Sequence, residues 1–253
     1  MKLTRRDTLT FAAAAAALGL AGVPSLARAA DGDVIDITRL MNPAGVPDKV
    51  LGNPEAKVTL IEYASPTCPH CAAWSNDVLP AFKEKYVATG KVKFIIRPFA
   101  RNTLDAAIFM LAEHAAKAFD AGTNVSTDPS APSSEPSAEP AAPDPSNPSG
   151  YSQSAIEAYE NVLATFFKTQ GEWAVAADPL VALKKVTAQL GFSEEAFNLA
   201  LTDQALFEGI DSMRKQAIDE FDLQGTPTFY LNGKTLGGEK SLDELSAEID
   251  PLL

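Results

Sequence analysis

Residues 57–71 run Lys57-Val58-Thr59-Leu60-Ile61-Glu62-Tyr63-Ala64-Ser65-Pro66-Thr67-Cys68-Pro69-His70-Cys71, and the fold turns on them. The first eight are apolar and β-branched, the composition of a buried strand. Ser65-Pro66-Thr67 ends it. From Cys68 to about Ala88 the pattern becomes helical, with Trp74, Val78, Leu79 and Phe82 at helical spacings. Pro69 suits a first helical position, where its missing N–H costs nothing. Pro80 falls in the helix interior, where it removes a hydrogen bond and predicts a kink. Residues 91–97 (K-V-K-F-I-I-R) form a second strand. Strand, helix, strand in that order implies a right-handed crossover and a parallel pair.

Downstream the pattern is helical. Thr103 to Phe119 carries Ile108, Leu111 and Ala115 on one stripe. Ser154 with Glu157 has capping-box spacing ahead of Tyr159, Leu163, Phe166 and Phe167. Asp178-Pro179 opens another helix that Gly191 closes, Ser193 caps a short one to Leu201, and Asp203 begins a longer one. The sheet returns with a strand at Thr228–Leu231. Asn232-Gly233 is a hairpin turn signal, and Thr235-Leu236 forms the partner strand. Ser241 with Glu244 caps a last helix. A βαβ half and a ββα half thus flank a helical block, which makes the chain α/β.

Two segments lie outside this pattern. Residues 1–29 hold Arg5-Arg6, an uncharged run from Leu9 to Val23 and an Ala27-Arg28-Ala29 cleavage motif. They have the layout of a cleaved export signal of twin-arginine type, although Thr8 and Thr10 depart from the usual pattern. The apolar run is too short and too rich in alanine to span a bilayer. Residues 122–150 carry seven Pro, seven Ser, four acids and no base. Such a stretch buries too little apolar surface to offset chain entropy and is expected to be a disordered loop.

The net charge of −12, with no basic cluster, argues against nucleic acid as a partner. Two His and two Cys are too few for a structural zinc site, which takes four N or S ligands, so no metal is expected. The chemistry concentrates at Cys68-Pro69-His70-Cys71. This spacing places both sulfurs in the first turn of a helix that follows a buried strand. Unpaired N–H groups and the helix dipole favour an anion there. Cys68, the outer residue, is the expected nucleophilic thiolate. Cys71, one turn in, is expected to be shielded and to resolve a mixed disulfide. His70 can add positive charge or a hydrogen bond to the thiolate. Gly225-Thr226-Pro227 before a strand has the form of a cis-Pro loop, whose backbone groups could pair with an extended substrate. Glu62 shares a strand face with Val58 and Leu60, which places it beneath Cys71 as a buried acid able to relay a proton. Lys93 on the neighbouring strand is its candidate partner.

Cys68-Pro69-His70-Cys71, a Glu six residues before the first Cys, a helical block between two sheet halves and Thr226-Pro227 before a strand together resemble DsbA-type thiol:disulfide oxidoreductases of the thioredoxin superfamily. The similarity covers roughly residues 50–253 without 122–150. It implies a thioredoxin-like fold with an inserted α-helical domain. Residues 50–100 form its first part, 101–220 the insertion and 221–253 its second part. It further implies that Cys68 attacks, Cys71 resolves, and Thr226, Pro227 and Pro69 contact substrate. No cofactor is implied beyond the redox-active Cys68–Cys71 disulfide. The partners implied are unfolded or reduced exported proteins in the periplasm and a membrane quinone-linked reoxidant of the DsbB type. Thr226 departs from the Val usual in the best-known oxidase, and Thr there is familiar from disulfide isomerases. Those isomerases carry an added dimerisation domain, for which residues 31–50 are too few, so a monomeric oxidase is expected. The alternatives are a periplasmic reductase or isomerase, for example in cytochrome maturation, and a copper-handling protein using two thiolates.

Overall fold

The computed structural model describes residues 31–122 and 150–253. The export signal assigned to 1–29 and, but for its two end glycines, the loop assigned to 122–150 lie outside the described residues. Five strands form one sheet: β1 (Val50–Leu51), β2 (Val58–Ala64), β3 (Val92–Pro98), β4 (Thr228–Leu231) and β5 (Lys234–Gly237), in the order β1-β3-β2-β4-β5. β2 lies at the centre, parallel to β3 and antiparallel to β4, and every one of its seven residues is buried. That is why it reads as an apolar run without alternation: both faces are covered. β1, a two-residue antiparallel edge beside β3, is too short to leave a sequence signal.

The crossover from β2 to β3 is not the single kinked helix expected from Cys68 to Ala88. A helix over Pro69–Asp77 ends at Val78, a second turn covers Leu79–Phe82, and a wider π-type turn covers Lys83–Val87. The break falls two residues before Pro80, so Pro80 stands in the first turn of the next segment, where no N–H is needed. Trp74, fully buried, anchors this layer on the sheet, with ring centroids 4.8 Å from Phe229, 5.7 Å from Phe94 and 6.2 Å from Phe82. Phe94 and Phe229 are register partners of Leu60 and Glu62, so the Glu62 face of β2 is the face beneath the Pro69–Asp77 helix.

The β4–β5 turn has Asn232 at φ 48° and Gly233 at φ 93°, the left-handed pair that a two-residue hairpin requires. Ser241 and Glu244 make both bonds of a capping box on the helix Leu242–Ile249. The helical block comprises Thr103–Asp120, Gln153–Lys168, Gln170–Trp173, Pro179–Gln189, Glu194–Leu201 and Gln204–Asp219. One cap differs from the sequence reading. Ser152, not Ser154, caps Gln153–Lys168, its Oγ accepting from the Ala155 amide at 3.3 Å. Ser154 is already helical, because the cap falls where the chain turns in from Gly150.

The opposite face of the sheet meets the segment before β1 and the helix Gln204–Asp219. Arg97 of β3 is fully buried and donates to both Asp48 carboxylate oxygens (2.7 and 2.6 Å), to the Tyr63 hydroxyl (3.0 Å) and to the Leu40 carbonyl (2.6 Å). Lys49 is buried against Glu113 of the helical block and lies over the rings of Tyr151 and Tyr159. Removing one member of a buried pair leaves an uncompensated charge, which costs about 3–5 kcal/mol. Asp48→Ala is therefore expected to lower unfolding free energy by about that amount in urea denaturation. A midpoint equal to the parent's would show that Arg97 finds other partners.

Candidate active site

Cys68 is the N-cap of the Pro69–Asp77 helix (φ −84°, ψ 119°), Pro69 its first residue and Cys71 its third. The two cysteines are unbridged thiols. Both are buried, Cys68 at 2% exposure and Cys71 at 0%, so exposure hardly separates them; their electrostatic surroundings do. A hydrogen bond from the Cys71 thiol lowers the Cys68 pKa to about 5; burial opposes this, while Thr226 and the Cys71 and His70 amides reinforce it. Cys71 is pushed in the other direction. Its burial, then its hydrogen bond to Cys68, favour its thiol, and the acidic groups of Glu62 and Cys68 beside it act in the same sense. The pair thus holds one ready thiolate and one reluctant thiol, and the thiol donates to the thiolate.

The Thr226–Pro227 peptide bond is cis. The Cys68 sulfur lies 3.2 Å from the Thr226 carbonyl oxygen, so the loop before β4 faces the nucleophile directly. The Gly238 amide donates to the Pro227 carbonyl (3.1 Å) and the Thr228 hydroxyl to the Gly225 carbonyl (2.8 Å), which hold the loop in place. A cavity of about 250 Å³ adjoins it, lined by Gly225, Thr226, Pro227, Tyr230, Thr235 and Gly237 among others. Pro69 is exposed at the surface.

Glu62 is where the strand pattern places it, 1% exposed, and its Oε1 has no hydrogen-bond partner. Burial, then the nearby charges of Glu160 and Cys68, raise its pKa well above the usual carboxylate range. Lys93 is not its partner. Lys93 pairs in register with Thr59 on the opposite face of the sheet and donates to the Pro54 carbonyl (3.0 Å). Strand alternation excludes the pairing, because Glu62 and Lys93 lie in opposite registers. The His70 side chain is 71% exposed and its Nδ1 lies 3.1 Å from Glu239 Oε2, so its ring faces an acid rather than the Cys68 sulfur. The backbone amide of His70, not the imidazole, acts on the thiolate.

Several residues around the dithiol carried no sequence signal. Asp105, in the first turn of Thr103–Asp120, is fully buried. Its carboxylate accepts from the Thr67 amide (2.7 Å), the Ser65 hydroxyl (2.7 Å) and the Arg101 amide (2.9 Å). Arg101 in turn donates to the Ser65 and Thr67 hydroxyls. Glu160 is buried, with Lys83 Nζ 2.9 Å from its Oε2 at a cavity of about 430 Å³ behind the active-site helix. An acid in a helical stripe looks like a solvent-facing residue until the packing of the helix is known. Among the described residues no group of three or more His, Cys, Asp or Glu side chains is gathered as metal ligands.

Comparison with known proteins agrees with this geometry. The family described as Thioredoxin matches residues 45–129 and 148–251. A protein of Rickettsia typhi named as a protein-disulfide oxidoreductase is 26% identical over 208 residues, which are 81% of this chain and 62% of that protein. The chain therefore spans about three fifths of the length of that relative. Among solved structures, a cysteine-to-alanine variant of Wolbachia pipientis alpha-DsbA1 superposes with a TM-score of 0.64 at 26% identity, covering 86% of this chain and 96% of that one. Oxidised BdbD of Bacillus subtilis, at 17% identity and a TM-score of 0.59, shares the fold over 88% of this chain and 97% of its own. The α/β, thioredoxin-like architecture is thus established.

The depressed Cys68 pKa has a measurable consequence with a definite sign. Cys68 ionises at about 5 in the folded dithiol form, below its ordinary value of 9.0. Its contribution to stability is complete above pH 9, declines as pH falls through the interval between, and is gone below about 5. Alkylation of the reduced protein by iodoacetamide is expected to follow a single ionisation near pH 5, with Cys71 unmodified throughout. A midpoint near that of an ordinary thiol, about 8.5, would contradict the geometry.

Proposed function

The chain belongs to the thioredoxin family and is DsbA-like, and from that premise we propose that it is an exported thiol–disulfide oxidoreductase acting as a disulfide oxidase. One observation carries the reading: Cys68, N-cap of a helix with Cys71 one turn in, has its sulfur 3.2 Å from the carbonyl of the cis Thr226–Pro227 loop, an arrangement that favours the Cys68 thiolate and the Cys71 thiol. A stabilised Cys68 thiolate stabilises the dithiol form, and a dithiol that is favoured over its disulfide makes the disulfide a strong oxidant.

The exchange proceeds in two displacements. A substrate thiolate attacks Cys68 Sγ of the Cys68–Cys71 disulfide. The S–S bond breaks, a mixed disulfide forms on Cys68, and Cys71 leaves as a thiolate that takes up one proton. Glu62, protonated and buried beneath it, is the group we assign to supply that proton. A second substrate thiolate then attacks the substrate sulfur of the mixed disulfide and releases Cys68 as the thiolate its surroundings favour. The substrate gains a disulfide, and the protein becomes the dithiol. During the exchange the backbone of the Thr226–Pro227 loop pairs with the extended substrate chain, with Pro69 at the rim. Reoxidation falls to a membrane quinone-linked partner of the DsbB type. In this reading residues 1–29 direct export to the periplasm, the substrates are newly exported proteins, and the helical block 101–220 is an insertion between the two parts of the thioredoxin-like domain. No helix among the described residues is long and apolar enough to cross a membrane. A second reading, reductase or isomerase, draws support from Thr226 before the cis-Pro.

The glutathione equilibrium of Cys68 and Cys71 separates the two. A potential near about −120 mV is expected for the oxidase. A value near about −270 mV would recast the protein as a reductase supplied by a membrane electron carrier. With the oxidase value, Cys68→Ser should abolish oxidation of a reduced unfolded substrate without loss of folding, and Cys71→Ser, which cannot close the disulfide, should fail in the same assay yet trap a mixed disulfide on Cys68 when offered oxidised glutathione.

A further inference from the structure

Among the helices outside the sheet, one side chain reaches the backbone of the nucleophile itself. Gln170 Nε2 donates to the Pro66 carbonyl at 2.7 Å and to the Cys68 carbonyl at 3.0 Å, which engages both hydrogens of its amide. The Cys68 carbonyl also accepts the first hydrogen bond of the active-site helix, from the Ala72 amide at 3.1 Å. Thr67, between the two carbonyls, donates its own amide to Asp105 at 2.7 Å. Residues 66–68 are therefore gripped from both sides: Gln170 by the carbonyls, Asp105 by the amide. Both grips come from the helical block.

Gln170 is itself held firmly. It opens the short helix Gln170–Trp173, and Trp173, 1% exposed, donates Nε1 to the Phe166 carbonyl at 2.8 Å. This geometry has an electrostatic consequence. The carbonyl of Cys68 is the negative end of a dipole on the same residue that carries the thiolate. The Gln170 amide sets positive hydrogens against that oxygen. It also fixes the backbone torsion that aims the sulfur at the amides of its own helix terminus, where an anion is favoured.

We propose that Gln170 is a positioning residue that sets the ionisation of Cys68 and thereby the oxidising strength of the pair. The inference rests on the proposed thiol–disulfide exchange, and it makes the helical block part of the redox centre rather than a cover over it.

The test compares Gln170→Met, which keeps length and apolar packing but has no donor, with Gln170→Ala, which removes both. Two quantities are read on each: the pH midpoint of Cys68 alkylation, and the equilibrium constant for reduction by glutathione. Loss of about one hydrogen bond's worth of stabilisation is expected to lower that constant about fivefold and raise the midpoint by about 0.7 in both variants. A parental midpoint and constant in Gln170→Met, with only the denaturation midpoint reduced, would make Gln170 a structural clip and overturn the proposal. So would a shift in Gln170→Ala that Gln170→Met does not share, since packing would then be responsible. The parent's own potential tests the oxidase reading, while the difference between parent and variant tests Gln170, so either can fail alone.

Discussion

A thiolate at the N-terminus of a helix gains from that position only while its sulfur stays aimed at the unpaired amides. At Cys68 this demand falls on a loop, Ser65-Pro66-Thr67, that has no regular structure to hold it. The rest of the molecule supplies what the loop lacks. β2, buried on both faces, delivers the chain to a defined point at its C-terminal end. Trp74 binds the following helix to Phe94 and Phe229 on the sheet. Asp105 fixes the loop from the side of the helical block, and the loop before β4 closes over the sulfur at 3.2 Å. Each element is ordinary alone; together they place the Cys68 sulfur where the Cys71 thiol, then Thr226 and the amides of the helix terminus, lower its pKa to about 5 against the effect of burial.

The two sulfurs, three residues apart, are driven in opposite senses by one arrangement. Cys68 is at the helix end, where dipoles point toward it. Cys71 is a turn further in, beside the sheet, with Glu62 and the Cys68 charge both opposing its ionisation. A hydrogen bond that lowers one pKa raises the other, so the asymmetry reinforces itself. Glu62 stands in the sheet interior with its Oε1 unpartnered, and burial raises its pKa because a neutral carboxylic acid is far less costly to bury than a carboxylate.

Charge is handled differently on the far face of the sheet. There Arg97 and Asp48 are buried as a pair, and each carboxylate oxygen and each guanidinium nitrogen has a partner. That network, together with Lys49 and Glu113, ties the segment before β1 to β3 and to the helical block. On that face the buried guanidinium is fully paired, whereas beneath the sulfurs Glu62 Oε1 has no hydrogen-bond partner.

The strand–helix–strand unit, the hairpin at Asn232-Gly233, the capping box at Ser241 and the Cys68–Cys71 pair were all legible in the sequence. Each is a local pattern whose physics operates within a few residues: β-branching over β2, left-handed backbone at the turn, side-chain capping, one-turn spacing of the thiols. The face on which Glu62 lies followed from the two-residue period of a strand, and so should have the exclusion of Lys93, which lies on the other face. What the sequence did not hold were the long-range partners: Asp105 and Gln170 on the loop, Glu239 on His70, Asp48 on Arg97. These lie far apart in the chain, and nothing local distinguishes an acid or amide that will meet a buried loop from one that will face water. The sequence by itself determined where the two thiols stand and on which elements. Tertiary structure alone decided in which direction each thiol's ionisation is pushed, because that depends on burial and on dipoles brought in by packing.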